Sequence, residues 1–119
     1  LPLLKAFNLS PRLAEAARAS GCANPEFATV GYREPSLVFL TDTKLLMPDA
    51  AGAAAFIDKE GAGCRIAFIE KAAEADFRAA LQGKTAPALL TRVRGVNINA
   101  ALDKQRKLRV LDIAVYVRR

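Results

Sequence analysis

Apolar and polar positions along this chain change period several times, and each change marks an element. Leu13, Ala14 and Ala17 share one face of a helix that the sequence starts at Ser10-Pro11, a hydroxyl cap followed by a proline whose missing N–H costs nothing in a first turn. Gly21 ends that helix. Phe27 to Tyr32 and Ser36 to Thr41 are β-prone runs split by Arg33-Glu34-Pro35, because proline cannot continue a central strand. They read as two strands or as one broken strand. Thr43 to Met47 offers a further short strand, and Pro48-Asp49 then opens an alanine-rich helix whose Ala53, Phe56 and Ile57 face inward. Gly61-Ala62-Gly63 breaks the chain.

Cys64 to Glu70 is an apolar run of the kind that fills a strand covered on both faces, and it predicts the central strand. Ala72 to Gln82 reads as a third helix with Phe77, Ala80 and Leu81 inside and Gly83 at its C-terminal end. Ala88 to Asn99 and Lys107 to Arg118 form an antiparallel pair around a polar, basic loop. In the last strand Leu111, Ile113, Val115 and Val117 alternate with Asp112, Ala114 and Tyr116, the period of a half-buried strand. Helices interspersed with strands predict an α/β fold of the α+β kind, a small layered sandwich with a mixed sheet of about five strands and about three helices. No internal repeat or second domain interrupts it, so residues 1–119 read as one domain.

Composition narrows the class. At 119 residues the chain is long enough to bury a core without metals or disulfides, a quarter of it is charged, and no stretch approaches the roughly 18 apolar residues of a membrane span. It reads as soluble. It opens on Leu1-Pro2-Leu3-Leu4 with no secretory signal pattern, which suggests a piece excised from a larger protein. The net charge of +6 is one-sided: residues 1–83 carry nine Lys/Arg against ten Asp/Glu, residues 84–119 nine against two. Such a surface faces an anionic partner or is simply solvated strand and loop, the simpler alternative. Nucleic acid is disfavoured, since aromatics are not interleaved with the basic run and no known reader motif occurs.

The chemistry is sparse. The chain has no histidine, which removes the Ser-His-Asp and Cys-His arrangements and most zinc sites. Cys22 and Cys64 are too far apart for a CxxC pair and are either two thiols or one disulfide, each following a glycine beyond a predicted helix. Gly61-Ala62-Gly63 lacks the lysine and glycines of a phosphate loop and reads as a turn, and Asn8-Leu9-Ser10 reads as a helix start more readily than as a glycosylation acceptor. The densest polar cluster is Tyr32, Arg33 and Glu34: Arg33 offers a planar fork for phosphate that Glu34 can hold, or the pair satisfies backbone where Pro35 interrupts the sheet. Lys104, Arg106 and Lys107 are the basic candidates for a phosphate or substrate contact. An autonomous enzyme built on Glu34 or Asp42 is the least supported possibility, because no partner constellation surrounds either.

Gly31-Tyr-Arg-Glu-Pro-Ser-Leu-Val-Phe-Leu40 resembles a segment of the extracytoplasmic C-terminal domain of bacterial integral-membrane glycosyltransferases. That family includes the dolichyl-phosphate-mannose-protein mannosyltransferases and the lipid A aminoarabinose transferases. Leu9-Ser-Pro-Arg-Leu13, Gly63-Cys-Arg-Ile-Ala-Phe68 and Leu111-Asp-Ile-Ala-Val-Tyr116 are similar to further parts of the same domain, so the likeness spans most of the chain. None of these is a catalytic signature. The loop from Asn99 to Arg109 departs from it by being longer. The resemblance implies a parent that transfers a sugar from a polyprenyl-phosphate donor on the outer, periplasmic side of the inner membrane. Its acidic catalytic residues and divalent metal would lie in the transmembrane portion, leaving this domain without a cofactor or catalytic residue. The expected partners are that transmembrane portion and anionic lipid head groups or a lipid-linked sugar. The alternative is a freestanding small-ligand or protein-binding module.

Overall fold

The computed structural model describes residues 9–31, 48–59, 63–84, 86–96 and 110–119. Helix α1 is Leu9–Ala19, strand β1 Glu26–Val30, helix α2 Ala50–Asp58, strand β2 Arg65–Glu70, helix α3 Lys71–Ala80, strand β3 Ala88–Val96 and strand β4 Val110–Arg118. The four strands form one mixed sheet in the order β1-β2-β4-β3. β1 and β2 are parallel, and β4 runs antiparallel to both β2 and β3. The α+β class therefore stands, with four strands among the described residues where about five were expected. The expected strands at Ser36–Thr41 and Thr43–Met47 lie outside the described residues.

Side-chain alternation sorts the core into two halves. Ile66 and Phe68 of β2 and Ile113, Val115 and Val117 of β4 face α1, where they meet Leu9, Leu13, Ala17 and the Phe27 ring of β1. Phe27 and Phe68 stack with centroids 5.9 Å apart. Ala67, Ile69, Ala114 and Tyr116 point the other way, against Ala53, Ala54 and Ile57 of α2 and Phe77 and Leu81 of α3. Among the described residues the result is three layers: one helix, the sheet, two helices. β2 is central, as its uninterrupted apolar run implies. β4 is not half-buried as expected but buried on both faces, with Ala114 fully buried and Tyr116 only 4% exposed. Its position between β2 and β3 makes it an inner strand, and α3 covers the face that its sequence left looking polar.

Local chemistry sets the helix ends. Asp49 caps α2 by accepting from the Gly52 N–H at 2.7 Å, and Glu70 caps α3 by accepting from the Ala72 N–H at 2.8 Å, so β2 passes into α3 with no loop between them. α1 takes in Leu9 and Ser10, which puts Ser10 inside the first turn instead of at the cap; Pro11 still falls among the N–H positions that have no helical acceptor. At the other end the Ser20 hydroxyl donates to the Ala17 carbonyl, and Gly21 takes φ +78° to close the helix.

Gly31, at φ +81°, leaves β1 beside the cap of α3, and a Cβ there would stand 2.7 Å from the Glu70 Cβ. Gly21 has a similar φ of +78° but nothing within 4 Å. Gly31→Ala is therefore expected to cost about 2–3 kcal/mol, from strain and the displaced cap together, against about 1 kcal/mol for Gly21→Ala. Urea unfolding of the two variants checks the difference.

Candidate functional site

Among the described residues the strongest polar cluster lies between α3 and strands β3 and β4. Glu74 is on the same face of α3 as Phe77 and Leu81, so the helix that buries those two carries a carboxylate into the layer with them, leaving it 5% exposed. A buried carboxylate demands donors. One of its oxygens, Oε2, accepts from Arg92 Nη2 of β3 at 2.7 Å, from the Tyr116 hydroxyl of β4 at 2.5 Å and from Arg78 Nη2 of α3 at 3.2 Å. Arg78 Nε also donates to the Tyr116 hydroxyl at 2.9 Å, so the phenol gives one hydrogen bond and receives another. Next to this, Asp112 accepts from Arg92 Nη1 at 3.4 Å and from Arg94 Nε at 3.1 Å.

Burial alone would raise the Glu74 pKa; the hydrogen bonds from Arg92 and Tyr116 and the two guanidinium charges outweigh it, and the net direction is down. Tyr116 moves up, first through burial and then through its bond to the Glu74 carboxylate. The acid is held ionised and the phenol protonated. Those directions suit a permanent ion cluster; they make Glu74 a poorer base and Tyr116 a poorer acid. The arrangement joins three secondary-structure elements through side chains, and its natural role is to hold α3 on the sheet.

Arg65 and the other described arginines near the chain's end serve helix termini. Arg118 donates to the carbonyls of Ile57 and Lys59, Arg65 donates to the same Lys59 carbonyl, and Arg119 donates to the Ser20 carbonyl at 2.8 Å. They sit at the negative ends of α2 and α1, on opposite faces of the sheet. Arg92, Arg94, Arg118 and Arg119 of the basic C-terminal region are thus engaged by carboxylates and backbone carbonyls.

The two cysteines, for which sequence leaves both states open, are joined: Cys22 and Cys64 form a disulfide with Cα atoms 6.0 Å apart, linking the turn after α1 to the start of β2. A cleft of about 460 Å³ opens between α1 and β3, with Ala16, Leu90 and Val93 beside Arg12, Glu15 and Thr91. Tyr32, Arg33, Glu34, Lys104, Arg106 and Lys107 lie outside the described residues, as does Asp42. Among the described residues no group of three or more His, Cys, Asp or Glu side chains is placed to hold a metal ion, and no helix is long and apolar enough to cross a membrane. No protein-family model, curated protein or solved structure matches the chain.

The sequence reading passed over Glu74, Arg92 and Tyr116. The signal was present: Glu74, Phe77 and Leu81 recur at helical spacing, which puts one charge on an inner face. Arg92 and Arg94 share a strand face across from Asp112.

Glu74→Ala strands Arg92 and the Tyr116 hydroxyl and is expected to cost about 2–4 kcal/mol, against about 1 kcal/mol for Tyr116→Phe. Because the folded-state pKa of Glu74 is depressed, its contribution is complete above the unfolded value near 4.5 and is lost as pH falls through the folded value. Denaturant unfolding from about pH 3 to about pH 7 is expected to show a shallower acid-side slope for Glu74→Gln than for the parent chain.

Proposed function

We propose that the chain is a non-catalytic accessory domain of a membrane glycosyltransferase that takes a sugar from a polyprenyl-phosphate donor, standing on the extracytoplasmic side of the membrane. The observation that carries this reading is directional. α1 begins near Arg94, where Arg12 donates to its carbonyl, and ends at Ser20, where Arg119 binds. α2 ends over Arg118, and α3 begins at the last residue of β2. All three helices therefore start at the end of the sheet where β1, β2 and β3 finish. Leu9, Gly31, Val96 and Val110 mark that same end. The lead-in to α1, the stretch that opens with Tyr32, Arg33 and Glu34, and the stretch that holds Lys104, Arg106 and Lys107 all join the described fold there.

A single end at which the lead-in and both of those stretches join the described fold suits a domain seated on a membrane portion. Its partners would be that portion and anionic head groups or the lipid-linked sugar, to which each well-placed Lys or Arg contributes roughly 1 kcal/mol. The disulfide supports an oxidising compartment. Any divalent metal would belong to the membrane portion, and no cofactor is assigned to this domain. The cleft between α1 and β3 favours a second reading, a freestanding small-ligand or protein-binding module.

The reading frame upstream of Leu1 is expected to encode a series of transmembrane helices. Deleting residues 9–119 from the encoded protein is expected to lower sugar transfer from a polyprenyl-phosphate donor or to change acceptor choice. Unchanged transfer and acceptor choice overturn the proposal, and a start codon just before Leu1 favours the module.

A further inference from the structure

We propose that the Cys22–Cys64 disulfide is a redox-gated clamp on α1, whose opening frees that helix from the sheet while the rest of the fold holds. The inference does not depend on the sugar-transfer reading.

Among the described residues α1 is the one helix that covers its face of the sheet. It sets Leu9, Leu13 and Ala17 against Phe27, Ile66, Phe68, Val93 and the apolar face of β4, whereas the opposite face has two helices and the ion cluster on Glu74. A helix of 11 residues is marginal in water by itself, and no backbone ladder ties it to a strand. It is held at its two ends. Near the start, Arg12 Nη1 donates to the Arg94 carbonyl at 2.6 Å. Past the other end, Arg119 donates to the Ser20 carbonyl and the disulfide joins Cys22 to Cys64, the residue just before β2. The disulfide is the one covalent link among these.

Both cysteines are partly exposed, so a small thiol reductant can reach the bond. Each follows a glycine at positive φ, Gly21 at +78° and Gly63 at +108°, so each half-cystine hangs on a turn instead of within a helix or a ladder. Reduction by a dithiol breaks the S–S bond: two electrons and two protons pass to the cysteines, giving two thiols, and the reductant closes its own disulfide. The closed loop of 42 residues then loses its cross-link, and α1 keeps only non-covalent anchors and the short connection through Cys22 to Pro25 into β1. The elements that remain are knitted without it: β2 and β4 by their ladder, α3 by Glu74, and α2 by its cap and by Arg118. α1 is therefore the unit expected to open first. Its departure uncovers Phe27, Phe68 and Val115 and removes one wall of the cleft beside β3.

Amide hydrogen exchange on the intact chain, with and without a dithiol and with the thiol count confirmed by mass, tests this. Exchange in α1 is expected to rise by roughly tenfold or more on reduction, while β2, β4 and α3 change by less than about twofold. A Cys22→Ser/Cys64→Ser variant is expected to match the reduced chain with no reductant present. Unchanged α1 exchange in the fully reduced chain overturns the clamp. So does loss of protection in β2 and β4 together with α1, which makes the disulfide a staple of the whole fold.

Discussion

The β2–β4 ladder runs through the middle of the sheet with apolar side chains on both of its faces, and that double burial governs the rest of the molecule. Neither face can be left to water, so both must be roofed by helices. On one side the strand residues are large, Phe68, Ile113, Val115 and Val117, and one helix with two leucines and small alanines is enough to seal them. On the other side Ala67 and Ala114 leave room, and two helices settle into it with Ile57 and Phe77.

Charge follows from this layering. Packing α3 against the sheet takes Glu74 out of water, and the cost is offset by two arginines and a tyrosine drawn from three different elements. Arg65, Arg118 and Arg119 answer the carbonyls that α2 and α1 leave at their C-terminal ends. A chain that reads as strongly basic therefore spends much of its described positive charge internally. For function this shifts interest from the strands to the end of the sheet where the helices begin.

Most of the elements could be read from the sequence because their signals are local. The apolar run Ile66 to Ile69, the Pro48-Asp49 start of α2 and the glycine beyond α1 each act within a few residues. What was not legible depends on neighbours distant in sequence. Nothing local says that β4 enters between β2 and β3, and without that placement Tyr116 and Asp112 look like the wet side of a half-buried strand. Glu74 is an intermediate case: its helical spacing with Phe77 and Leu81 marks an inner face, but Arg92 and Tyr116, two of its three partners, lie 18 and 42 positions away. The cysteines show the limit most plainly, since two turns 42 residues apart meet only once the sheet has brought α1 and β2 together.

The place of β4 also bears on how the chain is made. Of the described strands it is the last in chain order yet an inner one, so during synthesis β2 and β3 lack the partner that joins them until Val110–Arg118 leaves the ribosome. Until then the nascent chain exposes unpaired edges and apolar side chains that other chains could pair with. Losing Val110–Arg118 would part β2 from β3 in the middle of the described sheet, not trim its border, which makes β4 poorly tolerant of disruption.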